Sequence, residues 1–320
     1  MVRGKRTHEL DDSERLSQLP FMDHCVLCFR RCGVDRRTGS TGPCHAGLVP
    51  RISACVQHKG EEPPLCGDKG SGAIFFSGCS LRCVYCQNYR ISQLLLGEEL
   101  SVMGLAQLMN DLQDRGSHNI NLVSPTHYVP QILAALTIAK QAGLTIPVVY
   151  NSHGFDSTET VSLLEGAIDV YLPDLKYSDD GNARRLSGVE GYTKASREAI
   201  TSMFHQVGHL EIDSNTGLAK KGLLVRILVL PGGLAGVRES LQFLKECCSA
   251  RLAISLMAQY HPMYEASHFP PLHRTVTPSE YEEVLDFATE LGFEEMWIQD
   301  LKSAETGIPD FSSDTPFNFQ

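Results

Sequence analysis

The chain has 320 residues, 42% of them hydrophobic and 21% charged, and a formal net charge of −10. That length buries a full-sized core and suits one large domain with a small appendage. The acid excess excludes nucleic acid as the main partner, because phosphate binding calls for clustered Lys and Arg. No apolar run reaches the roughly 18 residues of a membrane span, and Met1 to Leu19 is charged and lacks the apolar stretch of a signal peptide. The expectation is a cytoplasmic protein with no membrane partner. Eleven cysteines in such a chain point to metal or redox chemistry rather than a disulfide framework.

In chain order, residues 1 to about 22 are polar and turn-rich and read as a tail or a strand-like arm. Cys25, Cys28, Cys32 and Cys44 follow at C-x2-C-x3-C-x11-C spacing, with glycines at 33, 39, 42 and 47 that let a short chain wrap tightly. An element this small has little core of its own, so a bound iron–sulfur cluster or zinc ion would supply its folding energy. Free thiols in a glycine-rich cap are the alternative. His24 and His45 stand beside these cysteines and are zinc ligands by residue type. Cys55, Cys66, Cys247 and Cys248 lack partners at useful spacing and read as small buried hydrophobes. The run Gly67-Asp68-Lys69-Gly70-Ser71-Gly72 looks like a phosphate cradle but leads into a strand, so it reads as a turn. These features divide the chain into an N-terminal tail and Cys-rich segment, 1–66, and a domain over 67–320.

From residue 73 short β-branched, apolar runs alternate with amphipathic stretches. Strands are expected at Ala73–Ser77, Ile120–Val123, Pro147–Tyr150, Ile168–Leu172, Leu223–Leu230, Ala253–Met257 and Met296–Gln299. Helices are expected near Leu105–Arg115, Pro130–Ala142, Ser157–Leu164, Thr193–Gln206, Arg238–Cys247 and Ser279–Leu291, with extra helix between Asp174 and Leu223. Continuous apolar strands, each followed by a helix, indicate a parallel sheet covered by helices. About six strand–helix units fit a partial barrel, and a doubly wound open sheet fits the periodicity almost as well.

Directly after the first of these strands, Gly78-Cys79-Ser80-Leu81-Arg82-Cys83-Val84-Tyr85-Cys86-Gln87-Asn88 sets three cysteines at C-x3-C-x2-C spacing. Three thiolates hold three irons of a cubane and leave the fourth iron for another ligand. The alternatives are a set of buried thiols or a zinc loop, although zinc would want four ligands and usually a second paired knuckle. With its aromatic residue before the last cysteine, the loop closely resembles the signature of the radical S-adenosylmethionine (SAM) enzymes. The resemblance implies an α/β fold, a partial (β/α)6 TIM-like barrel. It also implies a 4Fe–4S cluster on Cys79, Cys83 and Cys86, whose open iron chelates the amine and carboxylate of SAM.

In a βα barrel the chemistry lies at the C-terminal strand ends, and every expected exit here is polar: Ser124-Pro125-Thr126-His127, Asn151-Ser152-His153, Asp174-Leu175-Lys176, Arg226 with Pro231-Gly232, and Gln259-Tyr260-His261. Over roughly residues 70 to 300 the chain is most similar to the branch related to the pyruvate formate-lyase activating enzyme, and more closely to an uncharacterised group with an N-terminal Cys-x2-Cys-x3-Cys segment. That resemblance makes Asp174 and Lys176 organisers of the cofactor site and Arg226 a contact to the cofactor's carboxylate or ribose. It places Asn151, Gln259 and His261 at ribose and adenine contacts and Tyr85 near the adenine. The branch's Gly-Gly-Glu after the second strand is absent, and Thr126 and His127 stand there as substitute acceptors. The implied activity is reductive cleavage of SAM to a 5′-deoxyadenosyl radical that takes hydrogen from a substrate. The first candidate is the backbone glycine of a partner enzyme, with a low-potential flavodoxin or ferredoxin as electron donor. Radical modification of a small molecule or peptide, and a non-catalytic iron–sulfur electron carrier, are the alternatives. No residue has to act as a general base.

Overall fold

The computed structural model describes residues 14–305, 308–311, 313, 316 and 317. The tail expected over residues 1 to about 22 lies outside them as far as residue 13. Ten strands form one sheet: β1 (Arg51–His58), β2 (Ser71–Phe76), β3 (Glu98–Glu99), β4 (Ile120–Val123), β5 (Val148–Asn151), β6 (Val170–Tyr171), β7 (Glu211–Ile212), β8 (Ala219–Leu228), β9 (Ala253–Met257) and β10 (Met296–Ile298). Their order is β10-β9-β8-β6-β5-β4-β2-β1-β3, with β7 on β8. The seven strands β2, β4, β5, β6, β8, β9 and β10 run parallel, each beside its predecessor.

An order that never reverses is singly wound, the arrangement of a barrel. A doubly wound sheet would turn back at a switch point. The sheet does not close, because β10 ends one edge and β3 on antiparallel β1 ends the other. β1 falls in a stretch where no strand was expected. Its half-buried residues give neither an apolar run nor clean alternation, and it exists by pairing with β2.

The crossover helices start where the sequence supplies caps. Ser101, Ser157 and Thr277 accept the backbone N–H groups of Gly104, Thr160 and Glu280 and open the helices Val102–Asp114, Thr158–Leu163 and Pro278–Glu290. Strands β2, β4, β5 and β9 are buried at every position, as a sheet covered on both faces requires. The extra helix expected after Asp174 is Asp180–Ser187, ahead of Tyr192–Val207.

Successive strand residues point to opposite faces. On the inner face Leu65, from the turn of helix Pro63–Cys66, packs among Val149, Val170, Leu172, Leu224 and Ala253. Asn119 Nδ2 donates to the Leu65 carbonyl at 2.7 Å. The stretch before the first barrel strand thus plugs the barrel's interior, and it brings Glu61 and Glu62 inside. Among the described residues no helix is long and apolar enough to cross a membrane.

Candidate active site

Beyond that plug, at the C-terminal strand ends, lies a cavity of about 490 Å³. The cysteine loop forms one wall. β2 delivers the chain to Gly78, whose φ of +87° suits glycine and where a Cβ would come within 2.4 Å of the Cys44 carbonyl oxygen. Backbone bonds from Arg82 N to Ser187 O (2.8 Å) and Val84 N to Leu186 O (2.9 Å) tie the loop to helix Asp180–Ser187. Cys79, Cys83 and Cys86 all face the cavity, the first two only 8% and 7% exposed.

The thiols have hydrogen-bond partners in place. The backbone N–H of Leu81 donates to Cys79 Sγ at 3.4 Å, Cys83 Sγ meets Ser187 Oγ at 3.0 Å, and Cys86 Sγ meets Ser92 Oγ at 3.1 Å. From Cys83 a chain continues through Ser187 to Tyr177 (2.7 Å) and on to Tyr85 (2.7 Å). Burial raises all three thiol pKa values. The neighbouring cysteines add to the shift at Cys79, and Cys86 is pushed up to about 11. Without a ligand that rewards the thiolate, these groups stay protonated at neutral pH.

Asp174 and Lys176, at the β6 exit, pair at 2.6 Å beside the cysteines. Burial alone would depress the Lys176 ammonium, but the charge and hydrogen bond of Asp174 hold it above its usual range. Asn151, Gln259, His261 and Tyr85 also line the cavity, and His261 Nδ1 is buried without a partner. His153, not singled out in the sequence, faces it with Nε2 3.0 Å from Ser80 Oγ, its pKa lowered by burial.

Two expectations are corrected. Thr126 and His127 do not line the cavity. Thr126 Oγ1 donates to Asp156, a buried carboxylate that also takes the hydroxyls of Tyr150 and Ser152 (2.7–2.8 Å). His127 packs toward the N-terminal segment with Nε2 on the Ser77 carbonyl at 2.9 Å, and burial lowers its pKa to about 3, so it is a neutral imidazole. From the β4 exit Ser124 faces the cavity instead, at φ +57°, a left-handed conformation unusual for a serine.

Arg226 does line the cavity, with two of its three nitrogens bound to carboxylates. Nε and one terminal nitrogen bind Glu62 at 2.8 and 2.6 Å, and that nitrogen also meets Glu61. Asn121 Nδ2 donates to Glu61 at 2.8 Å. These carboxylates were missed because neither motif nor periodicity marks them. The one available signal was a Glu-Glu pair set rigidly before Pro63-Pro64. On the open side of the barrel Ile308 and Phe317 reach the same cavity, next to Trp297 and Ile298 of β10.

Comparison with known proteins matches residues 73–210 to the radical SAM superfamily. An uncharacterised protein of Methanocaldococcus jannaschii is 30% identical over 285 residues, 83% of this chain and 74% of the relative. The chain belongs to the radical SAM superfamily. Solved structures of similar fold include SuiB of Streptococcus suis bound to the precursor peptide SuiA (15% identity, TM-score 0.45, 71% of this chain and 48% of SuiB) and HydG, a maturase of the FeFe-hydrogenase (14%, 0.47, 71% and 51%). This chain spans about half the length of each.

The superfamily uses a 4Fe–4S cluster and SAM, and the residues present fit both. Cys79, Cys83 and Cys86 offer three sulfur ligands on one wall of a cavity that takes no fourth cysteine, which leaves an iron position for SAM. The remaining lining supplies both signs of charge and neutral acceptors, as a zwitterionic nucleoside ligand requires.

Proposed function

We propose that Cys79, Cys83 and Cys86 hold the cluster and that SAM occupies the adjacent cavity, so that the protein abstracts hydrogen from a substrate admitted at the strand ends. The observation that carries this is the meeting of three cysteines and the Asp174–Lys176 pair on one cavity. A cluster held by Cys79, Cys83 and Cys86 would supply the low-potential electron, drawn from a flavodoxin- or ferredoxin-type donor, for reductive cleavage of SAM to methionine and a hydrogen-abstracting 5′-deoxyadenosyl radical.

The chain's own part is to bind, orient and exclude water. Lys176 pairs with Asp174 and is close enough to Cys83 to offset the negative charge that thiolates would bring. Asn151, Gln259 and His261 offer hydrogen bonds for the sugar and base, and Tyr85, fixed through Tyr177 and Ser187, supplies a flat face. The branch resemblance makes the backbone glycine of a partner enzyme the substrate of this reading.

Anaerobically reconstituted, reduced protein should form 5′-deoxyadenosine from SAM, and Cys83→Ala should form none. No product from cluster-loaded wild type would sink the proposal. A glycyl-radical resonance on mixing with a candidate partner tests the activase role, and hydrogen loss from a small molecule or peptide without that resonance would refute it.

A further inference from the structure

Away from the cavity, residues 24–50 contain no helix or strand except the short turn Arg36–Thr38. Yet this irregular stretch buries Cys25, Cys28, Cys44 and the side chain of Arg36, which is only 1% exposed. Arg36 donates to Cys25 Sγ at 3.1 Å and to the His127 carbonyl at 2.5 Å, and its Nε has no acceptor. Among the described residues no carboxylate pairs with it. A buried guanidinium needs an anion nearby, and sulfur is the only source within its contacts.

The cysteines carry backbone donors. The backbone N–H of Arg30 points at Cys28 Sγ and that of Ala46 at Cys44 Sγ. In each case the donor lies two residues beyond the cysteine. The loop of the first site repeats the arrangement, Leu81 to Cys79 and Asn88 to Cys86. N–H groups placed on sulfur in this way are the hydrogen-bond donors that a metal-bound cysteine sulfur takes. Cys25, Cys32 and Cys44 are all close enough to act electrostatically on Cys28. At Gly42 a Cβ would lie 2.8 Å from Cys32 Sγ, so the chain closes tightly over the exposed member of the set.

We propose that Cys25, Cys28, Cys32 and Cys44 hold a second iron–sulfur cluster, closed by four thiolates and with no iron left for SAM. Four thiolates make such a cluster a net anion, the counter-charge Arg36 lacks. Among the described residues no three His, Cys, Asp or Glu side chains converge on a point where they could hold one metal ion, and this holds for the three cysteines of the first site as well. A multi-iron cluster spreads its sulfur ligands more widely than the roughly 2.3 Å Zn–S bonds of a single zinc ion permit. The centre would also brace the first site. The Cys44 carbonyl seats against Gly78, and Arg30 donates to the carbonyls of Ser80 (2.7 Å) and Gly188 (2.6 Å).

The test removes the first site and looks for what remains. The Cys79→Ala/Cys83→Ala/Cys86→Ala variant, reconstituted without oxygen, should keep iron and acid-labile sulfide in cluster proportion, at about half the wild-type content if both clusters are of the same type. Cys32→Ser, at an exposed position where packing is least disturbed, should lower the iron content of that variant further, and Cys55→Ala should leave it unchanged. A variant folded by circular dichroism that holds neither iron nor sulfide, or holds zinc alone, overturns the proposal. Wild type that fails to cleave SAM while the triple variant keeps its iron would remove the proposed activity and leave this centre standing.

Discussion

Arg226→Met should destabilise the protein by about 3–5 kcal/mol, the usual cost of leaving a buried charge without its partner. The guanidinium binds Glu62 through two bonds of 2.6–2.8 Å and also meets Glu61; the Arg226 side chain is 13% exposed and each carboxylate side chain 6%. Methionine fills most of the same volume, so the loss reports charge rather than a cavity. The pH dependence should reverse. Burial alone would raise the Glu62 pKa, but the charge and hydrogen bonds of Arg226 hold it below the usual carboxylate value. In wild type the pair therefore adds stability above the unfolded carboxyl's pKa, lost as pH falls through the lower folded value. In the variant burial wins and the folded pKa lies above the unfolded one, so stability falls as pH rises through that window. Anaerobic urea unfolding of the apoprotein at pH 5 and pH 8 measures both effects, with Glu62→Gln/Arg226→Met as the control that should regain most of the loss. A cost under about 1 kcal/mol at pH 8, or no recovery in the double variant, would refute the reasoning.

Gly78→Ala should cost about 2–4 kcal/mol, by adding a left-handed alanine to a Cβ 2.4 Å from the Cys44 carbonyl, and should cut iron uptake at the first site; a thermal scan and iron analysis check both. The depressed pKa of buried His127 means the unfolded chain binds its proton first, so stability drops as pH falls from 6.5 toward about 3, by up to about 5 kcal/mol. His127→Gln should flatten that part of the stability–pH curve, and an unchanged slope would exclude His127 as its source. Because burial keeps the Cys79, Cys83 and Cys86 thiols protonated, cluster assembly must release protons, and iron bound during reconstitution should rise from pH 6.5 to pH 8.5. Iron uptake independent of pH would contradict the thiol assignment.

Much of the fold was legible because hydrophobic period and strand length survive into the structure. Ile120–Val123 and Ala253–Met257 come out at the expected bounds, and the helices within about three residues, because buried parallel strands are apolar throughout and the caps stand at the helix starts. Periodicity could not distinguish single from double winding, since strand order is a long-range property. It also missed β1, whose mixed side chains follow from an antiparallel strand near the sheet edge that is half covered.

The site shows why local motifs find candidate ligands but not their surroundings. The three cysteines announce themselves by spacing, whereas Glu61 and Glu62 reach Arg226 from 164 or 165 residues away, through a plug that exists only once the barrel has formed. The misassignment at the β4 exit has a similar cause. Thr126 and His127 are chemically suitable acceptors, but Ser124 at φ +57° turns the chain inward before either residue is reached. The turn then commits Thr126 to Asp156 and His127 to the Ser77 carbonyl, directly under the cysteine loop. The carbonyl of His127 in turn takes Arg36, the cation bound to Cys25. A residue expected to touch SAM is thus the packing link between the two cysteine sets, and that link places the N-terminal cysteines beside the loop despite the 34 residues separating Cys44 from Gly78.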